Sequence, residues 1–553
     1  MKLLFLITTF ALLLRLSFIT STPPSLNWDE VSHGYNAYSI LKTGKDEWGT
    51  FLPTIFRAFG DYKLPVYIYF TVPAVALFGL NSFSVRLISV LAGSFAIAGT
   101  FLLFKTLFPN DLLHKTKVYK TYLTLAGISA VVLSVLPWHF FLSRPALEAN
   151  LFMTLIIYGF YFLLKSKTNQ NYLLASSLLL SLSLHTYNTA RVFVIPMIMA
   201  TFVIFRFRPR FSFRSLLSLI LILFSVALVI YQVFAGTGME RYNKLKILSE
   251  SAVHQIGQTR LASSLPSPLP KLLYNRPVYL VTTIGKNYLR YFTPAFFNQS
   301  FGAQSQFAIP GKNMLTLPGM ILFYLGLALA IVRCRGDKPL QFILAWLALA
   351  PLAASLTADP PQALRPIPMI LPIIALISLA IIRLSRFHRY LFPAIILLYG
   401  LFSMNYFYDY FSNYSKNYSA SWQYGMEQAI GYLNEHRGEY SKVFITKRYG
   451  EPHLFYAFYS RLDPNIIQSP SKTIRFHQSD WYWTDKIENT YFVNDWDILT
   501  SSTNRLKLES GQYISTSNSL LITSFDHVPI NSHLLKTIDF LDGKPALKIV
   551  SLP

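Results

Sequence analysis

Two adjacent carboxylates stand in Asn27-Trp28-Asp29-Glu30, about ten residues past the first apolar run of the chain. Carboxylates beside apolar surface are costly to keep unless they are used. One placed there can take a proton from an incoming hydroxyl. The competing reading is a helix start, because Asp29 precedes the amphipathic stretch 31–41 and suits an N-terminal cap. Cations follow: Arg57, then Gly60-Asp61-Tyr62-Lys63-Leu64-Pro65. Lys63 heads the apolar run 64–80, and an ammonium at headgroup depth suits a lipid phosphate. Interfacial lysines also snorkel there without any ligand.

Further on, Arg144 and Glu148 are four apart and share a face of a helical turn, as a plain ion pair would. His185, Tyr187 and Arg191 lie together in 185–191. His185 has no second His or Cys at ligand spacing, so a metal role is not favoured. Arg365 sits among prolines in 358–366, which hold a rigid turn. Asp495-Trp496-Asp497 matches the short DxD pattern of nucleotide-sugar enzymes, but so short a pattern arises by chance and is read as structural. No Walker loop, GxGxxG fingerprint or serine elbow is present.

The elements that must position these groups are mostly membrane helices. Of 553 residues, 52% are hydrophobic and only 14% charged. Soluble domains carry about 25% charged residues, so one soluble domain is excluded. Eleven apolar runs approach the ~20 residues that cross a bilayer: 3–19, 87–104, 122–138, 149–164, 172–186, 192–205, 215–235, 314–332, 339–356, 366–382 and 390–408. The run 64–80 is read as lying on the outer face. The first run is read as a span rather than a cleaved signal, because no small-x-small site precedes Pro23.

Charge orients the chain. The net charge of +23 divides into +24 on residues 1–408 and −1 on 409–553. With 64–80 outside the count of spans, the loops 105–121, 165–171, 206–214, 333–338 and 383–389, with Lys2, hold 17 basic residues and 2 acids. The opposite loops hold 17 basic residues and 9 acids over more than three times the length. That is the positive-inside pattern, with the tail 409–553 extracytoplasmic. Scattered over membrane loops, the cations form no nucleic-acid patch. The single cysteine, Cys334, forms no intrachain disulfide.

Two outer loops are long. The first, 20–86, contains the helical stretch 31–41, after which Gly44 and Gly49 interrupt. The second, 236–313, is expected to be partly irregular around LASSLPSPLP. The tail reads as α/β: a helix over 421–436, a strand at KVFIT (442–446), a helix over 452–459, then strands at YFVND, QYIST, SLLITS and ALKIV.

The acidic pair Asp29-Glu30, the element Lys63-Leu64-Pro65 and the loop with Arg144 and Glu148 resemble the GT-C glycosyltransferases, in their protein O-mannosyltransferase and aminoarabinose-transferase branch. The order of elements carries this over roughly 1–410, most strongly over 1–200. The Lys-Pro-Pro of that family stands here as Lys63-Leu64-Pro65, a departure. The resemblance implies a polytopic α-helical membrane protein of GT-C type, here with about 11 transmembrane helices and an extracytoplasmic α/β tail. It implies an integral plasma-membrane glycosyltransferase that takes a sugar from a polyprenyl-phosphate donor to a protein, lipid or glycan hydroxyl, with inversion. Asp29 would be the general base and Glu30 its support or an acceptor contact. Lys63, Arg144, Arg191 and Arg365 would bind the departing phosphate, Glu148 would orient Arg144, and Asp61, His185 and Tyr187 would support the site. Members of this branch generally need no metal or other cofactor. The rival readings are a polysaccharide ligase or polymerase using lipid-diphosphate donors, and a lipid or sugar transporter. Transporters place ionisable groups at midplane, whereas here only Arg15 lies clearly within a run.

Overall fold

The computed structural model describes residues 2–109, 124–207, 212–235, 246–302, 304–359, 361–388, 390–479, 481–496 and 505–553. Most of the loop 105–121, with Lys115, Lys117 and Lys120, lies outside them, as do Arg208, Arg210, Arg389 and Asp497. The chain divides into two compact units. The first comprises 1–15, 91–143 and 148–407; the second comprises 16–90, 144–147 and 408–553. The tail is therefore in one unit with the first long loop, an association the sequence did not suggest.

Among the described residues, six helices are long and apolar enough to cross a membrane: Ser82–Leu107, Glu148–Lys165, Phe213–Phe234, Lys338–Ser355, Ile367–Ser385 and Leu391–Trp422. Shorter apolar helices among the described residues are Pro65–Phe78, Leu125–Val135, Asn171–Leu184, Thr189–Phe205 and Leu317–Arg333. The segment 64–80 is thus an ordinary helix. The expected run 122–138 is broken. Its helix stops at Val135, and Pro137 opens a new one, Pro137–Leu142. Proline suits the first helical turn, where its missing N–H would be unpaired anyway. The expected boundary at 408 falls inside the last helix, which runs on through a π turn at Tyr410–Tyr414.

Within the first unit, helices pack pairwise: Glu148–Lys165 on Asn171–Leu184, that helix on Phe213–Phe234, and Leu317–Arg333 on Ile370–Ser385. The last pair meets at Gly326, where a Cβ would lie 2.0 Å from the Leu376 carbonyl oxygen. Only glycine permits that approach. Arg15 is buried here and fully employed. It donates to Ser143 Oγ at 2.8 Å, His139 Nδ1 at 3.0 Å and the carbonyls of Ala11 and Ser134, both at 3.2 Å. The long loop 236–313 is more helical than expected, with Glu250–Leu261 and Arg276–Arg290, though LASSLPSPLP itself spans the irregular break between helices.

The second unit is built on a seven-stranded mixed sheet. Its order is His533–Asp539, Pro545–Leu552, Ser519–Ser524, Lys442–Thr446, Thr490–Val493, Trp481–Ile487 and Thr473–Gln478. Lys442–Thr446 is parallel to both its neighbours, and the other pairings are antiparallel. One core cluster joins Phe444, Leu521 and Val550 to Leu506 and Leu508, on and beside a small hairpin. Helices Met426–His436 and Pro452–Tyr459 pack together, and Trp28–Thr43 packs on the latter. Asp495, read as structural, is fully buried, and its Oδ2 accepts from the Ser524 hydroxyl at 2.6 Å and amide at 3.0 Å.

Candidate active site

Helix Trp28–Thr43 opens with a reciprocal cap. Asn27 Oδ1 accepts the Glu30 N–H at 2.9 Å, and Glu30 Oε2 accepts the Asn27 N–H at 3.2 Å. Such a box satisfies two otherwise orphaned donors and fixes the first turn. Asn27, and not Asp29, is therefore the cap. Asp29 lies one residue into the turn with 44% of its side chain exposed, so a substrate hydroxyl can reach it.

Lys63 ends a two-stranded hairpin, Phe56–Arg57 with Tyr62–Lys63. Asp61 lies in its turn, where its carbonyl accepts the Ala58 N–H. Leu64 is extended, and Pro65 is the first residue of helix Pro65–Phe78. Proline there has its φ set for a helix and lacks only a donor that would be unpaired. Strand and helix thus hold Lys63 from both sides. Its ammonium pairs with Asp29 Oδ1 and stands 5.5 Å from the Phe59 ring centroid. The Lys63 side chain is only 8% exposed. The structure brings together the two residues on which the sequence reading most depended.

Glu30, expected to support Asp29 or the acceptor, is held in a buried ion pair. Its Oε1 accepts from Arg86 Nε at 2.9 Å and the Ala146 amide at 2.8 Å, while Oε2 accepts from Arg86 Nη2 at 3.0 Å and Asn27. Arg86 also donates to the carbonyls of Ile19, Pro23 and Ser25. Both side chains are fully buried. A carboxylate so engaged anchors the loop. Arg86 escaped the sequence reading; its one signal is a cation at the head of a long apolar helix.

Arg144 is also buried. It donates to the Tyr410 hydroxyl at 3.1 Å and to the carbonyls of Ser17 and Thr22 at 2.7 Å each. These bonds hold the chain around it, and a phosphate would have to displace them. Glu148, His185, Tyr187, Arg191 and Arg365 belong to the first unit. Glu148 opens helix Glu148–Lys165, and His185 caps the end of Asn171–Leu184. Tyr187 is buried against Phe152. Arg191 donates to Gln232 at 2.7 Å. Arg365 pairs with Asp359 at 2.6 Å and Thr357 at 2.7 Å.

The tail contributes groups near Asp29 that the sequence did not flag. Gly450 has φ +90°, and a Cβ on it would lie 2.0 Å from the Trp28 ring. The next residue, Glu451, is buried and accepts from Trp481 Nε1 at 2.6 Å. Burial pushes its carboxyl up to about 8; the Trp481 N–H draws it down, and the nearby charges of Glu47 and Asp29 push it up. His453 is held well below its ordinary value by burial and by the cations Arg475 and Lys447. Among the described residues, no three His, Cys, Asp or Glu are grouped so as to hold a metal ion.

No family model matches the sequence, and no curated protein matches it. Solved structures do match by fold. ArnT from Cupriavidus metallidurans bound to undecaprenyl phosphate superposes with a TM-score of 0.55 at 10% identity, over 99% of this chain and 97% of that one. The apo form of the same protein gives 0.49 at 11% identity, over 99% and 97%. The oligosaccharyltransferase of Archaeoglobus fulgidus, with zinc and sulfate, gives 0.45 at 13% identity, over 83% and 61%. The first match shows that this chain shares the fold of ArnT over 99% of its length.

Proposed function

We propose that this protein is a membrane glycosyltransferase that moves a sugar from a polyprenyl-phosphate donor to an acceptor hydroxyl at the extracytoplasmic face. The observation that carries the reading is the pairing of Asp29 with Lys63. The half-exposed carboxylate of Asp29 takes the acceptor proton as the oxygen attacks the anomeric carbon. The bond from that carbon to the phosphate oxygen breaks on the opposite side, so configuration inverts. Phosphate leaves without a general acid; what it needs is positive charge on oxygens that gain negative charge. Lys63 supplies it. Because the same ammonium pairs with Asp29, a phosphate that draws it away also releases the base.

The fold shared with ArnT, bound in that structure to undecaprenyl phosphate, supports a lipid phosphate as donor carrier. The basic inner loops support the orientation. The test is incubation of purified protein with a panel of polyprenyl-phosphate sugars and an acceptor extract, reading release of lipid phosphate. Release with no member of the panel would remove the proposal.

A further inference from the structure

Four aromatic rings run in series from the residue before Asp29 into the tail. Trp28 and Phe59 have centroids 5.8 Å apart, Phe59 and Trp481 5.6 Å, and Trp481 and Trp483 6.0 Å. Trp481 and Trp483 are two apart on strand Trp481–Ile487 and so share one face of the sheet. Phe59 is buried, but the three tryptophans keep part of their surface open. The row begins at the proposed base, and its second ring lies under the Lys63 ammonium.

A polar group is built into the row. The buried Glu451 carboxyl orients the Trp481 indole through Nε1 and borders Asp29 closely enough to feel its charge. Burial raises this carboxyl to about 8, and its second oxygen lies 3.4 Å from His453 Nδ1, so the group is held in place from both sides. Gly450, the residue before Glu451, lies against Trp28, where no side chain fits. Flat apolar faces beside hydrogen-bonding edges match one chemical class: a sugar ring, with C–H groups on its face and hydroxyls around its rim.

We propose that Trp28, Trp481 and Trp483, with Glu451, form a sugar-ring subsite beside Asp29 and Lys63. The inference rests on the transferase reading above. The ring belongs either to the donor or to a saccharide acceptor.

The test uses the full-length chain in detergent and three probes. These are citronellyl phosphate without a sugar, a panel of citronellyl-phosphate hexoses and pentoses, and the matching methyl glycosides. Affinities are compared for the wild type, Trp481→Ala, Trp481→Phe and Lys63→Ala. The subsite requires Trp481→Ala to weaken a sugar-bearing probe about tenfold, the scale of one aromatic contact, with sugar-free phosphate unchanged. Trp481→Phe, which keeps a ring, recovers most of the loss. A defect confined to the sugar phosphates assigns the donor; a defect on the glycosides assigns the acceptor. If Trp481→Ala binds every probe as the wild type does, the subsite is wrong, while loss of phosphate binding in Lys63→Ala leaves the transferase reading standing. If the wild type binds no phosphate probe, both fall.

Discussion

The Lys63 ammonium pairs with the Asp29 carboxylate across 34 residues of chain, joining the end of a hairpin to the first turn of a helix. Neither residue is placed by the other. A capping box and a buried Glu30–Arg86 pair fix the helix, and Pro65 and a strand fix the lysine. The pair is where two independently held elements meet.

Replacing Lys63 with Met should therefore weaken binding of sugar-free polyprenyl phosphate with little change in melting temperature, since Asp29 is half-exposed and its carboxylate can turn to water. Kinetically, KM for donor should rise. An unchanged KM would remove Lys63 from the phosphate.

Glu30 and Arg86 should behave in the opposite way. Removing either charge leaves its partner buried and unpaired, at a cost of about 3–5 kcal/mol. Arg86→Met should thus lose most of its folded, detergent-stable protein, as size-exclusion profiles would record. A monodisperse Arg86→Met with normal melting would contradict the anchoring role.

The carboxyl of Glu451 adds a pH dependence. Raised from its ordinary range to about 8, it binds a proton in the native state that the unfolded chain releases. Its contribution is complete at low pH and is lost as pH rises toward 8. Burial raises Glu47 and Asp46 as well, with the same sign. His453, depressed, acts oppositely, adding stability above about pH 6.5 that is lost in acid. The window from pH 7 to 8 isolates the carboxyls. Glu451→Gln should flatten the fall in melting temperature there, and an unchanged slope would move the titration elsewhere.

Sidedness has a direct test. Ser143, a natural choice for labelling an outer loop, is fully buried and bonded to Arg15, so it would report nothing. Thr168 and Asn531 are exposed. In a chain with Cys334 replaced, Asn531→Cys should react with an impermeant maleimide on intact cells and Thr168→Cys only after permeabilisation. The reverse pattern would invert the orientation.

The sequence revealed the parts of the site that local pattern encodes. Asp29 and Lys63 stood out because a charge next to an apolar run is conspicuous. KVFIT and the helix at 452–459 appeared with the boundaries expected, since each is short, apolar and bounded by turn residues. Thr473–Gln478 and Trp481–Ile487 were missed because their charges break the alternation of apolar and polar residues. His533–Asp539 was missed as a mostly exposed edge strand. Glu30 was assigned to chemistry because its partner lies 56 residues away, and no spacing rule pairs them. The union of tail and first loop was equally invisible. It depends on contacts such as Gly450 with Trp28 and Arg475 with Glu47, 428 residues apart.

The central claim is that Asp29 takes the acceptor proton, and Asp29→Asn tests it most directly. Lipid-phosphate release from the best polyprenyl-phosphate sugar should fall by about a hundredfold or more, the contribution of a general base. Melting temperature and sugar-free phosphate binding should stay near wild type. Full release by the Asp29→Asn protein would contradict the account.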